Sequence, residues 1–281
     1  MARSAGISGR ILTALVALAV ALAGAFVFAP RLLAAGGSSG GFADEGELRD
    51  ALRVAFVEYW GAGDRDFPPS LARVVDYWFR YHVAKAVTAA ALLIVLVALG
   101  VLLWQAFLRA DGVRVSKRVA LASGCGLATI LALCSMVLVM ANIQGAAAPF
   151  ASLLPMLTAS TADGALAPAL EQIRQQLADS RNAGGRTSPA LEVMISDFSR
   201  YHLAMAVLAA VVALIFVGMS VMFWRRFART GSTDRRTRRV SAASGVLATA
   251  TSVAVLLVAV ANTGTAADPG PALAAFFDGG W

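Results

Sequence analysis

The apolar positions of this chain are gathered into five long runs. These runs cover residues 11–29, 83–107, 119–141, 203–224 and 240–261. Each run is rich in Ala, Val and Leu, and none contains Pro. About 20 apolar residues in a helix cross the hydrocarbon core of a bilayer, and no alternating pattern indicates a barrel strand. The pattern therefore predicts an all-α membrane protein with five transmembrane helices.

Two more polar segments place their apolar residues at helical spacing. The first pattern uses Leu48, Leu52, Ala55, Phe56 and Tyr59, and the second uses Leu170, Ile173 and Leu177. Glycines follow both patterns, and a Pro-Ser or Ser-Pro pair then restarts a helix that can run into the next span. The sequence thus predicts two amphipathic helices that lie at the interface or cap the bundle.

The chain also matches itself at an offset of about 120 positions, the mark of an internal repeat. The tripeptide Arg-Tyr-His at 80–82 recurs at 200–202, and Trp104 has its counterpart in Trp224. The third and fifth spans both end at an Ala-Asn pair, whose asparagines are Asn142 and Asn262. Two copies of a two-span unit have the same orientation, so this tandem repeat is predicted to be parallel.

The repeat divides the chain into three parts. Residues 1–41 hold an N-terminal signal-anchor span and a linker, residues 42–157 form repeat unit 1, and residues 158–281 form repeat unit 2. The first run also fits a cleaved signal peptide. Its length exceeds the usual apolar region of such a peptide, and Pro30 after Ala29 would make a poor cleavage position. We therefore favour a retained span.

Charge predicts the orientation of the chain, whose formal net charge is +7. Residues 109–118 hold four basic residues against one acid, and residues 225–239 hold seven against one. The longer segments 30–82 and 142–202 carry slightly more acids than bases. By the positive-inside rule, the short basic loops and the N-terminus are cytoplasmic, and the C-terminus is external to the plasma membrane. We expect the basic loops to lie on anionic lipid headgroups rather than to bind nucleic acid.

The two histidines, His82 and His202, are the residues in which we would first look for chemistry. The repeat puts both at one depth near the external end of a span. Clustered Arg, Tyr, Trp and His are typical of an interfacial girdle, which is the interpretation we favour. Two facing histidines could instead hold haem b or a metal. A third alternative is a site for an external anion or partner, formed by Arg80, Tyr81, Lys85, Arg200 and Tyr201.

The remaining polar residues of the spans favour structural interpretations. Lys85 is shallow enough to snorkel outward. Asn142 and Asn262 are expected to cap or pack their helices, with a hydrogen bond across the bundle as the alternative. Cys125 and Cys134 point to different faces of one helix and cannot pair. The runs contain no Asp or Glu, and the chain carries no nucleotide-binding, zinc or nucleophile motif. These features predict no catalytic residue.

The chain resembles uncharacterised multi-pass integral membrane proteins of high-GC actinobacteria in three features. These are the Arg-Tyr-His tripeptides, the Trp residues at the inner ends of the spans, and the Ala-Asn pairs at which the spans end. The resemblance covers most of the repeat and implies no activity and no site residues. We expect a non-enzymatic accessory subunit or envelope factor whose external helices dock a protein partner. The alternative is a haem- or metal-binding redox membrane protein that uses His82 and His202.

Overall fold

A computed structural model describes residues 9–37, 40–109, 114–158, 164–183, 187–231 and 234–280. Its helices are α1 Gly9–Ala35, α2 Glu45–Ala62, α3 Pro69–Leu108, α4 Val115–Ala147, α5 Pro149–Thr158, α6 Leu166–Ala183, α7 Pro189–Arg229, α8 Arg235–Ala267 and α9 Pro269–Phe277. No strand occurs in these described ranges. Five helices, α1, α3, α4, α7 and α8, are long and apolar enough to cross a membrane. The predicted all-helical class with five long apolar helices is confirmed.

Some of the predictions involve residues outside those ranges. They are the first eight residues of the N-terminus, residues 110–113 and 232–233 of the two basic loops, and residues 159–163 beside the predicted boundary between the repeat units. The helices predicted to restart near Pro69 and Pro189 do run into the second and fourth spans, as α3 and α7.

The five long helices all extend beyond the apolar runs from which they were predicted. Helix α1 passes through Pro30 and ends at Ala35, and both Pro30 and Ala34 are buried. Helices α4 and α8 continue past Asn142 and Asn262 by about one more turn. Hydropathy reports the apolar part of a helix, whereas the backbone hydrogen bonds continue through the polar residues that follow.

Tertiary contacts divide the chain into two compact units. The span unit comprises the described parts of 1–29, 84–141 and 209–256. Its helices approach each other through small residues, since a Cβ added at Gly124 would contact Leu103 and one at Gly100 would contact Ala128. Large apolar side chains point outward, with Ile94 69% and Leu214 72% exposed. Small residues between helices and apolar residues outside are the arrangement that lipid favours.

The core unit comprises the described parts of 30–83, 142–208 and 257–281, and contains a hydrophobic core. Phe56, Tyr59 and Phe150 are fully buried there. The ring centroids of Tyr59 and Phe150 lie 5.8 Å apart, edge to face, and those of Phe67 and Phe150 lie 5.0 Å apart. Burial raises the pKa of the Tyr59 phenol to about 12, because a phenolate would lose its hydration in this core.

Polar side chains join the helices around this core. The Trp60 indole donates to Gln172 at 2.9 Å, which joins α2 to α6. The Trp78 indole donates to Ser152 at 2.8 Å, which joins α3 to α5. Arg174 donates to the carbonyl of Phe277 at 2.9 Å, which joins α6 to α9. The segments between the long apolar helices therefore fold into a packed unit.

The short helices α5 and α9 were not predicted. Each begins at a proline, Pro149 or Pro269, whose fixed φ and missing N–H suit the first turn of a helix. The two prolines were visible in the sequence as a matched pair. Because each helix is only 9 or 10 residues long, its apolar pattern was too short to distinguish a helix from a connection.

Candidate functional site

The first part of the candidate site is a hydrogen-bonded pair within the core unit, formed by His202 of α7 and Asn262 of α8. The His202 Nδ1 and Asn262 Oδ1 atoms are 2.8 Å apart. The Asn262 Nδ2 atom donates to the carbonyl of Val258 at 2.9 Å, which determines the orientation of the amide. The amide oxygen must therefore accept, and His202 donates through Nδ1–H. In the neutral ring, Nε2 then carries the lone pair.

A matching pair joins α3 to α4 in the same unit. The His82 Nδ1 atom lies 3.0 Å from Asn142 Oδ1, and both pairs are separated by 60 residues in sequence. The His82 ring packs closely on Gly145, where an added Cβ would lie 2.6 Å from a ring carbon. Its edge also meets the Trp78 ring, with centroids 4.8 Å apart. Gly145 is therefore required for the close approach of the ring.

These two bonds correct the capping interpretation of Asn142 and Asn262. Both asparagines lie inside their helices, which end at Ala147 and Ala267. An asparagine within a helix has its backbone groups already bonded, so its side chain is available to a neighbouring helix. The alternative of bonding across the bundle was the right one.

The surroundings of the two histidines differ. His202 is only 8% exposed and meets the Phe198 ring at a centroid distance of 4.6 Å. Its Nε2 atom is buried and accepts no hydrogen bond from any residue in the described part of the chain. A cavity of about 300 Å³ adjoins this ring, lined by Ala151, Leu154, Pro155, Phe198, Tyr201, His202 and Phe276. Tyr201 also meets the edge of His202, at 5.5 Å between centroids.

Both arginines of the Arg-Tyr-His tripeptides form ion pairs within their own helices. Arg80 lies 3.1 Å from Asp76, and Arg200 lies 3.5 Å from Asp197. Tyr81 stacks on Trp78 with centroids 5.0 Å apart. Each of the two guanidinium groups that were predicted to bind an anion or a partner is thus paired with a carboxylate of its own helix.

Lys85 has an aromatic neighbour in the span unit. Its Nζ lies 4.9 Å from the centroid of the Phe26 ring of α1. An ammonium over a ring face is attracted by the ring quadrupole, and the attraction grows where water is excluded. Snorkelling was the interpretation favoured from the sequence; the contact with Phe26 could not be predicted, because it joins two spans far apart in the chain.

Asp197 is a functional candidate that the sequence analysis missed. Its carboxylate is buried and accepts the backbone N–H of Ala151 at 2.8 Å, in the first turn of α5. An acid from one helix thereby caps the N-terminus of another, where backbone N–H groups lack partners. The sequence contains one indication of this residue: Asp197 lies one position after the residue that corresponds to Asp76 in the repeat.

The geometry brings each histidine together with an asparagine, whose hydrogen bond orients its imidazole. Among the described residues, no three His, Cys, Asp or Glu side chains group so as to hold a metal ion. Each His–Asn hydrogen bond can hold two neighbouring helices together, and it occupies the Nδ1 atom of the histidine. No family model, curated protein or solved structure matches the chain.

Replacing Asn262 with Ala should destabilise the protein by about 1–3 kcal/mol, because His202 Nδ1–H would be left buried without an acceptor. The His202→Phe, Asn262→Ala double variant should lose less stability than the sum of the losses in the two single variants, since both polar partners are then gone. Thermal unfolding in detergent measures all three variants, and Asn142→Ala serves as the matched position in α4. Strictly additive effects at 202 and 262 would show that the hydrogen bond does not couple these helices.

Proposed function

We propose that this chain is a non-enzymatic multi-pass membrane protein, an accessory subunit or envelope factor that docks a protein partner through its core unit. The observation that carries this proposal is the hydrophobic core within the core unit, in which Phe56, Tyr59 and Phe150 are fully buried. A few residues are enough to join two spans, whereas the segments between the long apolar helices of this chain form a packed unit. A packed scaffold presents surface residues in fixed positions, as a docking surface requires.

The docking surface that we propose is the exposed face of α2, comprising Glu47, Asp50, Val54 and Glu58. These positions recur at helical spacing, and all four are exposed. Val54 is 73% exposed, although the opposite face of the helix is in the core. An apolar side chain among three acids is complementary to a partner segment that combines basic residues with an apolar one. Glu58 accepts a hydrogen bond from Ser70 at 2.6 Å, which restrains its carboxylate.

We further propose that the two halves of the chain are a parallel tandem repeat. Helices α3 and α7 begin at Pro69 and Pro189, and α5 and α9 begin at Pro149 and Pro269, both with an offset of 120 positions. The equal sequence separation of the two His–Asn pairs also supports this relation.

In the orientation that we propose, the basic loops at 109–118 and 225–239 are cytoplasmic and the core unit is external. The excess of Arg and Lys in these short loops supports this orientation. The loops then meet the anionic headgroups of the inner leaflet of the plasma membrane, and each Lys or Arg near that surface adds to the attraction. The acidic face of α2 would be presented to partners outside the cell.

A second candidate function is haem or metal binding by His82 and His202. The observation that favours it is the bond from His202 Nδ1 to Asn262. Metal-ligating histidines nearly always donate the other ring N–H to an oxygen acceptor, usually a carboxylate, a backbone carbonyl or a water, and this bond fixes the tautomer and the ring orientation. This candidate would make the protein a redox component of the membrane.

A photo-crosslinking amino acid at Val54 tests the docking proposal in intact cells. We expect one discrete adduct from this position and none from the matched exposed position Ala178 on α6. The Asp50→Lys variant should abolish the adduct, because it reverses a charge on the proposed docking surface. Equal adducts from positions 54 and 178, or an adduct unaffected by Asp50→Lys, would refute docking at this face.

The absorption spectrum of the detergent-purified protein tests the haem alternative. Haem held by the two histidines predicts a Soret band that disappears in the His82→Ala, His202→Ala double variant. A colourless preparation with no bound metal would eliminate this alternative. It would leave the docking proposal unchanged, since that proposal does not depend on either imidazole.

A further inference from the structure

One cleft of the span unit lies along a single face of α7. It has a volume of about 490 Å³ and is lined by Gly218, Val221, Met222, Arg225, Arg226, Arg229 and Thr230. These positions recur every three or four residues and therefore form a stripe along the helix. The stripe is apolar at Gly218 and basic at Arg229. A cleft with an apolar end and a cationic end has the chemistry of an amphiphile site.

The apolar end offers space and exposed surface. A Cβ added at Gly218 would meet no other atom within 4 Å, so the glycine leaves a notch in the helix surface. Val221 is 47% exposed and Met222 is 54% exposed. In a membrane-spanning helix, such a notch beside exposed apolar side chains accommodates an acyl chain.

The basic end carries three exposed guanidinium groups. Arg225, Arg226 and Arg229 form no ion pair with any residue in the described ranges. The nearby acid Asp234 accepts the backbone N–H of Thr237 at 3.0 Å. Hydrogen bonds from Thr237 are the main cause that lowers the pKa of this carboxyl, and the charges of Arg236 and Arg226 contribute less. Guanidinium forks match the oxygens of a phosphate group and can bind them in a bidentate manner.

The other side of α7 is occupied by α8. The Trp224 ring packs against Gly245, where an added Cβ would lie 3.1 Å from the ring. The Trp224 indole donates to Thr249 at 3.2 Å, and Ser220 bonds the same hydroxyl at 2.7 Å. Ser220 and Trp224 therefore hold α7 to α8, while the stripe with Gly218 and Arg225 lies on a different face.

We propose that this cleft binds one anionic phospholipid, with the phosphate on Arg225, Arg226 and Arg229 and an acyl chain along Met222 and Gly218. Arg225 follows Gly218 by seven residues, which is about 10 Å along a helix axis. That length separates the phosphate from the upper part of an acyl chain. This inference deepens the lipid contact of the basic loops and rests on that part of the proposed function.

The equivalent stretch of α3 lacks the site, which provides a comparison within the chain. Trp104, Phe107 and Arg109 match Trp224, Phe227 and Arg229 in spacing. Between them, Gln105 and Ala106 stand where α7 has its two adjacent arginines, and Ala98 stands where α7 has Gly218. The proposed phospholipid site therefore has no counterpart in this stretch of α3.

Native mass spectrometry of the full-length protein in detergent tests this site. The probes are dioleoyl phosphatidylglycerol, which is anionic, and dioleoyl phosphatidylcholine, which has the same acyl chains and a zwitterionic headgroup. We expect Arg225→Gln, Arg229→Gln to weaken phosphatidylglycerol binding about 30-fold. The matched control is Arg235→Gln, Arg239→Gln, which removes two arginines of the same spacing from α8 and should leave this binding unchanged. Gly218→Leu, which keeps every charge, should weaken it about fivefold by filling the notch.

Equal losses in the two arginine double variants would overturn the site but leave the general lipid contact of the basic loops intact. Equal affinity of the wild-type protein for the two lipids would overturn both. Displacement of phosphatidylglycerol by inorganic phosphate at a matched concentration would show that a free anion suffices, and would overturn the assignment to a lipid. Unchanged phosphatidylglycerol binding in Gly218→Leu would show that the acyl chain does not occupy the notch.

Discussion

The absence of water in the hydrocarbon core is the constraint on which the rest of this structure depends. Every backbone N–H and C=O in that layer must be bonded within the chain, and a continuous helix bonds them all. Five long apolar helices meet this requirement, and their large apolar side chains point outward. Association between such helices gains nothing from hydrophobicity, so small residues such as Gly124 and Gly245 provide close contact instead.

Where the apolar runs end, polar side chains take over the joining of helices. His82 bonds to Asn142 and His202 bonds to Asn262, each pair linking two consecutive long helices. Asp197 caps α5 from another helix. Directional bonds of this kind specify one arrangement of the helices, which general apolar packing does not. Both histidines lie in the core unit, where the His82 ring meets Trp78 and the His202 ring meets Phe198.

The features that follow from local chemistry could be predicted from the sequence. Long apolar runs give the five helices, and the spacing of Leu48, Leu52 and Phe56 gives α2. The matched tripeptides singled out both histidines, but their partners could not be identified, because each asparagine lies 60 residues away. The contact between Lys85 and Phe26 is likewise non-local. Helices α5 and α9 were missed because their length is too short for periodicity to be decisive.

We propose that the core unit and the basic loops lie on opposite sides of the plasma membrane, and cysteine labelling in whole cells tests this orientation directly. In a chain with Cys125 and Cys134 replaced by Ala, single cysteines are placed at Val54 and at Gly231. A membrane-impermeant maleimide should label position 54 in intact cells, and position 231 only after permeabilisation. Labelling of position 231 in intact cells, with position 54 protected, would contradict the orientation and the external docking surface together.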